Sequence, residues 1–152
     1  MGTIIDLRSD TVTSPSRAML AAMTSAVTGD DVYGEDPTVN ALEEYAAQLT
    51  KKEKALFVTS GTQGNLTAIL SHCERGDEYI AGSDAHTYKY EAGGAAVLGS
   101  VQPQPVPFNS RGEIPLDLAQ DAIKPLDHHF AKTKLFCLEV APHPTLWHVF
   151  GK

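Results

Sequence analysis

Phe57-Val58-Thr59-Ser60-Gly61-Thr62-Gln63-Gly64-Asn65 is the stretch on which the reading of the chain turns. With Ala55 and Leu56 ahead of it, the apolar run 55–58 has the length of a buried strand, and Thr59-Ser60-Gly61 closes it. Asn65-Leu66-Thr67-Ala68-Ile69-Leu70 predicts a helix that Gly76 stops. Backbone N–H groups at such a helix start, reinforced by the helix dipole, attract an anion. Gly61 lets the backbone approach closely, and the hydroxyls of Ser60 and Thr62 add hydrogen bonds. Two readings stand side by side: a phosphate cradle, and an ordinary capped strand–helix turn. The stretch has neither the Gly-Lys-Ser/Thr of a nucleotide-binding loop nor the Gly-x-Gly-x-x-Gly of a dinucleotide site.

Outward from this point the chain alternates. On the amino-terminal side, Ser14-Pro15 opens a helix running through Met23, with serine as its cap, and Gly29-Asp30-Asp31 ends it. Val32 to Pro37 reads as an exposed loop. Thr38 is placed to cap a second helix whose apolar face is Val39, Leu42, Tyr45, Ala46 and Leu49, and Lys51-Lys52-Glu53-Lys54 is its solvated end. On the carboxyl side, Glu78-Tyr79-Ile80-Ala81 predicts a strand and residues 87–98 a helix weakened by Gly93-Gly94. Residues 101–108, with three prolines, read as an edge strand or extended segment, and 116–123 as a short helix. Leu135-Phe136-Cys137-Leu138 reads as another buried strand. Strands alternating with helices predict an α/β layer with a mainly parallel sheet. Ala141 to Lys152 shows no helix or strand period, and the chain reads as stopping before its sheet is complete.

Composition narrows the function. The chain has 152 residues, 42% apolar and 20% charged, with a net charge of −7 and no basic block. That excludes disorder and makes nucleic acid and anionic membrane poor partners. No apolar run reaches the length of a spanning helix, and the start Met1-Gly2-Thr3-Ile4-Ile5-Asp6 is not a signal peptide. Cys73 and Cys137 form neither a disulfide framework nor a metal knuckle, so a cytoplasmic location is expected.

Isolated residues give weaker signals. His86 follows a predicted strand, where ligands of open α/β sheets gather; it suits ring stacking or proton transfer, or simply a helix cap. His128-His129 lack a third ligand at a sensible spacing, and no metal is expected. Ser9-Asp10-Thr11 reads as a polar turn and Tyr33 as an exposed aromatic. The absence of Gly-x-Ser-x-Gly leaves serine hydrolysis without support.

Taken together, five stretches resemble one family. Ile5-Asp6-Leu7-Arg8-Ser9-Asp10-Thr11-Val12-Thr13, the run from Gly29 to Asn40, Ser60-Gly61-Thr62-Gln63-Gly64-Asn65, His86, and Glu91-Ala92-Gly93-Gly94-Ala95-Ala96-Val97 resemble the low-specificity L-threonine aldolases. The resemblance runs from about Ile5 to Glu139. It implies the amino-terminal part of the major domain of an aspartate-aminotransferase-like, pyridoxal-phosphate-dependent fold, an incomplete three-layer α/β/α arrangement. It also implies pyridoxal 5′-phosphate as cofactor, a small amino-acid substrate, and homotetramers with active sites at subunit contacts. By the same resemblance, Ser60, Gly61 and Thr62 hold the cofactor phosphate and His86 stacks on its ring. Ser9 helps hold the substrate carboxylate, His129 approaches the substrate hydroxyl, and Tyr33 stands near the mouth of the site. The implied reaction is retro-aldol cleavage of L-threonine or L-allo-threonine to glycine and acetaldehyde, with the cofactor ring accepting the electrons.

The departures from the family set a further expectation. Residues 1–139 follow it, whereas residues 140–152 depart: Val140-Ala141-Pro142-His143 stands where the family has Asn-Thr-His-Asn. The family's pyridine-pairing aspartate, its cofactor-bearing lysine and its carboxylate-clamping arginines come later and have no counterpart. None of the eight lysines follows a serine. The expected reading is a truncated aldolase inactive by itself. The alternatives are a non-catalytic fragment that binds the cofactor or co-assembles with an intact relative, and, more distantly, a nucleotide-binding protein.

Overall fold

The computed structural model describes residues 10–139, which fall into two compact units, residues 1–58 and 59–152. Ser9 and the tail 140–152 lie outside the described residues.

The first unit is helical. Helix α1 (Arg17–Ser25) is capped by Ser16, whose Oγ accepts from Met19 N at 3.2 Å, so the cap lies two residues beyond Ser14. The cap of α2 (Pro37–Thr50) is likewise Asp36 rather than Thr38. Pro37 takes the first helical position, where no hydrogen bond is lost. Asp36 accepts from Thr38 N and Val39 N at 2.9 Å each and from Gly29 N at 3.0 Å. A Cβ at Gly29 would overlap the Glu35 carbonyl, so only glycine lets this loop close on the cap. Residues 31–33 form a 3-10 turn within the predicted loop, and Lys51 ends α2 in a left-handed conformation.

The cap makes the first unit acid-sensitive. The N–H groups of Val39, Gly29 and Thr38 hold the Asp36 carboxyl below the usual aspartate range. Its stabilisation is present above the unfolded aspartate range and is lost as pH falls through the lowered folded value. The helical far-UV signal is expected to fall on acid titration through that window, and Asp36→Asn is expected to flatten the dependence.

The predicted strand at residues 55–58 does not form. Leu56 and Phe57 are exposed, and Phe57 N donates to Glu43 Oε1 at 2.7 Å rather than to a neighbouring strand. A strand is stabilised by a ladder, and no described strand lies beside this run.

The second unit is α/β. Helix α3 (Gly61–His72) returns into β1 (Asp77–Gly82), the centre of a three-stranded, wholly parallel sheet of order β2-β1-β3. Strand β2 (Gln102–Val106) and strand β3 (Lys132–Phe136) are its edges. Every residue of β1 is buried, as a parallel strand covered on both faces requires. Tyr79 and Ala81 point into a core with Ile69 and Cys73 from α3, Ala95 from α5 (Gly94–Gly99), Ala85 and Val101. The opposite face carries Glu78 and Ile80 and is covered by α6 (Leu116–Ala122). The result is a small three-layer α/β/α unit.

Two expectations shift. The helix predicted over residues 87–98 is two pieces, α4 (His86–Lys89) and α5, because Ala92 and Gly93 are left-handed at φ 54° and 66°. Strand β3 begins at Lys132 and is half-exposed, since it is an edge. Both cysteines are free, and burial pushes the Cys137 thiol up to about 11 and raises that of Cys73, so neither is a reactive thiolate. Among the described residues no helix is long and apolar enough to cross a membrane.

Candidate active site

The chain reverses between α3 and the parallel β1, so the first turn of α3 lies at the carboxyl end of β1. There the cap is built from sequence-local parts. Ser60 is extended (φ −156°), and its Oγ accepts from Gln63 N at 3.1 Å. The Gln63 side chain folds back, accepting from Thr59 N at 3.0 Å and Thr59 Oγ1 at 2.8 Å. Among the described residues the N–H groups of Gly61 and Thr62 have no partner. A Cβ on Gly61 would meet open space. The turn is therefore an exposed shelf with two unpartnered donors, flanked by the Ser60 and Thr62 hydroxyls. The Ser60 cap is that of an ordinary strand–helix turn, and its two free N–H groups are of the kind that can take an anion.

His86 stands beside this shelf. Strand β1 ends at Gly82, where a Cβ would meet the tip of the Phe108 ring and make it shift, and His86 follows at the start of α4. Its backbone is pinned: His86 N donates to Glu139 Oε2 at 2.8 Å, and the buried Tyr79 donates its hydroxyl to Thr87 O at 3.1 Å. Burial pushes the Tyr79 hydroxyl up to about 12, so it remains a donor. The His86 ring lies 5.8 Å from that of Tyr90, and its Nδ1 is 2.7 Å from Oε1 of the buried Glu91. Asn65 Nδ2, from the second turn of α3, donates to the same oxygen at 2.6 Å. That bond ties His86 and the α3 start into one corner.

The other sequence candidates fall elsewhere. His129 precedes β3, at the amino end of the parallel ladder, whereas His86 lies beyond its carboxyl end. Its Nδ1 is 2.7 Å from Asp127 Oδ1, and its exposed ring lies 3.9 Å from that of His128. Bonds from the His129 backbone and ring hold the Asp127 carboxyl below its usual range. Asp127 is the third group that the sequence reading missed beside His128-His129; the three side chains approach closely enough to share an ion and all are exposed. Tyr33 is 79% exposed in the first unit, and Ser9 lies outside the described residues. Glu91, Asn65 and Glu139 stand in the stretches that carry the resemblance, but the sequence reading assigned them no role. The available signal was an acidic residue before Gly93-Gly94 in an otherwise apolar stretch.

A family model described as beta-eliminating lyase matches residues 6–145. The chain is 65% identical over 136 residues to the low specificity L-threonine aldolase of Escherichia coli K12, covering 90% of this chain and 41% of that protein. It is 46% identical over 138 residues to the probable low-specificity L-threonine aldolase 2 of Arabidopsis thaliana, covering 89% and 39%. The fold matches a solved structure of Leishmania major threonine aldolase with a TM-score of 0.60 at 22% identity, over 78% of this chain and 34% of that one. The chain thus spans less than half the length of the relatives it matches. With a match covering most of its residues, the chain belongs to the beta-eliminating lyase family.

Proposed function

We propose that the chain carries the cofactor-phosphate and ring-facing part of a pyridoxal-phosphate-dependent aldolase that cleaves L-threonine and L-allo-threonine to glycine and acetaldehyde. The observation that carries this is the shelf at Gly61 and Thr62, two unpartnered N–H groups tied by Asn65 and Glu91 to His86. The donor set fits a phosphate monoester with an aromatic ring beside it. Gly61, Thr62 and the Ser60 hydroxyl hold the phosphate, and His86 stacks on the ring. When bound, the cofactor supplies the pyridine ring that takes up the electrons of the broken Cα–Cβ bond. Ser9 holds the substrate carboxylate, Tyr33 lines the mouth, and His129, from a second subunit, holds the proton of the β-hydroxyl. The site is that of a cytoplasmic enzyme of amino-acid metabolism.

Lys89, three residues after His86, does not supply a covalent attachment. Its Nζ hydrogen-bonds Asp84, which keeps the ammonium above the usual lysine range and so charged rather than nucleophilic. The 152-residue chain by itself is therefore expected to bind pyridoxal phosphate reversibly and to release no acetaldehyde from L-threonine. Inorganic phosphate is expected to compete, and Thr62→Asp, which places a carboxylate at the shelf, to abolish binding. Absorption titration checks this; binding indifferent to phosphate and to Thr62→Asp would refute the site.

The placement of His129 favours a second reading, a co-assembling chain. Because His129 and His86 stand at opposite ends of the ladder, a second subunit is the source that brings such a histidine to the site. Co-purification with an intact aldolase relative is the expected result.

A further inference from the structure

We propose that Glu91 is a positioning residue which, anchored by Asn65, fixes the His86 imidazole with Nδ1 as its hydrogen-bearing nitrogen and Nε2 as the bare one. The ring needs such a device, since the His86 side chain is 48% exposed, whereas the Glu91 side chain is 5% exposed. Glu91 Oε1 lies 2.7 Å from His86 Nδ1 and 2.6 Å from Asn65 Nδ2. A carboxylate oxygen only accepts, so both nitrogens donate to it, and the proton on the ring is assigned to Nδ1. Nε2 is left on the far side of the ring from Glu91.

The backbone serves this arrangement. Helix α4 stops at Lys89, and the left-handed pair Ala92 and Gly93 reverses the chain immediately after Glu91. Gly94 N donates to Glu91 O at 3.0 Å and closes the corner. A non-glycine residue with positive φ is uncommon, and here it sits next to the carboxylate that turns back toward His86 and α3. Three elements, α3, α4 and the corner before α5, thus converge on one buried oxygen. A pair with that geometry orients an imidazole and selects its tautomer as second-layer carboxylates do for ligating and catalytic histidines.

The significance of His86 rests on the proposed cofactor site, whereas the ring assignment does not, and the experiment separates the two. The cofactor-free 152-residue chain, labelled with 15N in its histidine rings, is sedimented and its magic-angle-spinning spectrum recorded at alkaline pH, with His86→Gln assigning the resonances. His86 is expected as the Nδ1–H form, opposite to the preference of a solvated imidazole. Glu91→Ala is expected to return it to mainly Nε2–H, and Glu91→Gln, which keeps an acceptor oxygen, to retain Nδ1–H. A wild-type His86 in the Nε2–H form, or a Glu91→Ala spectrum unchanged from wild type, overturns the proposal. Should Glu91→Ala fail to fold by circular dichroism, Asn65→Ala replaces it. Mixed tautomers are then expected, and a pure Nδ1–H signal refutes the anchor. In titration with pyridoxal phosphate, Glu91→Ala is expected to weaken binding about tenfold, roughly 1.4 kcal/mol, with inorganic phosphate affinity unchanged. Equal weakening of both ligands would mean damage to the shelf and would overturn the positioning role. A wild-type chain that binds no pyridoxal phosphate refutes the cofactor reading while the tautomer result stands.

Discussion

Glu78→Ala is expected to destabilise the α/β unit by about 3–5 kcal/mol, the usual cost of removing one partner from a buried ion pair. Glu78 is fully buried in the central strand, and each of its oxygens is used. Oε1 accepts from Lys124 Nζ at 3.1 Å and Thr133 Oγ1 at 3.0 Å, and Oε2 from Lys124 Nζ and Gln102 Nε2 at 2.9 Å each. Lys124 Nζ also donates to Gln104 Oε1 at 3.1 Å, and Lys124 N to Thr133 Oγ1. One carboxylate therefore links β1 to both edge strands and to the segment after α6. Removing it strands the Lys124 ammonium and leaves Gln102 and Thr133 without their acceptor, and the desolvation already incurred is no longer offset. Against a total stability of about 5–15 kcal/mol, this is enough to unfold a marginal domain. Urea denaturation measures it. Glu78→Met with Lys124→Met is expected to recover much of the loss, because an apolar pair leaves no uncompensated charge. A Glu78→Ala midpoint within about 1 kcal/mol of wild type would show that water reaches the pair.

That network also shows where sequence reading stops. Glu78 appeared as the polar start of a strand, and nothing local to it reveals that partners at 102, 124 and 133 fill its lone pairs. Features governed by local physics were legible. The α3 start followed from Ser60-Gly61, and the edge position of β2 from its prolines. The break in the helix after His86 was foreshadowed by Gly93-Gly94, although its true cause includes the left-handed Ala92. Cap positions slipped by two residues because Ser14 and Ser16, or Asp36 and Thr38, are all competent caps, and only the fold of the preceding loop chooses between them. The run 55–58 has strand chemistry without a strand's neighbour, and period and propensity report only the chemistry.

The candidate site divides the same way. Ser60, Gly61, Thr62 and His86 were legible because a helix start and the carboxyl end of a strand are local features with known electrostatics. Glu91 and Asn65 were not, because their value lies in a contact spanning 26 residues through a reversed backbone. His129 was legible as a residue type, but its place at the amino end of β3 depends on strand direction, which the sheet alone fixes.

The second large effect expected is self-association of the 152-residue chain, and the two sheet edges predict where it occurs. Val106 O accepts from Ser83 N, so the even-numbered residues of β2 face β1 and Pro103 and Pro105 face outward. Prolines carry no N–H, and that edge cannot template another strand. On β3, Cys137 N donates to Ile80 O, so Leu135 and Cys137 face β1 and the N–H of Phe136 points outward. Among the described residues nothing pairs with it. Phe136 is 38% exposed and Leu138, just beyond, 75%, so the open edge is also apolar. Only Lys132 and Lys134 oppose association there, through like-charge repulsion, and salt weakens that. Sedimentation velocity is expected to show concentration-dependent association that strengthens with ionic strength, together with binding of anilinonaphthalene sulfonate. Phe136→Pro removes both the outward donor and the ring while sparing the ladder to β1, and is expected to weaken association on the order of tenfold. A wild-type chain that stays monomeric, melts cooperatively and binds no dye would mean that this edge is covered within the chain itself.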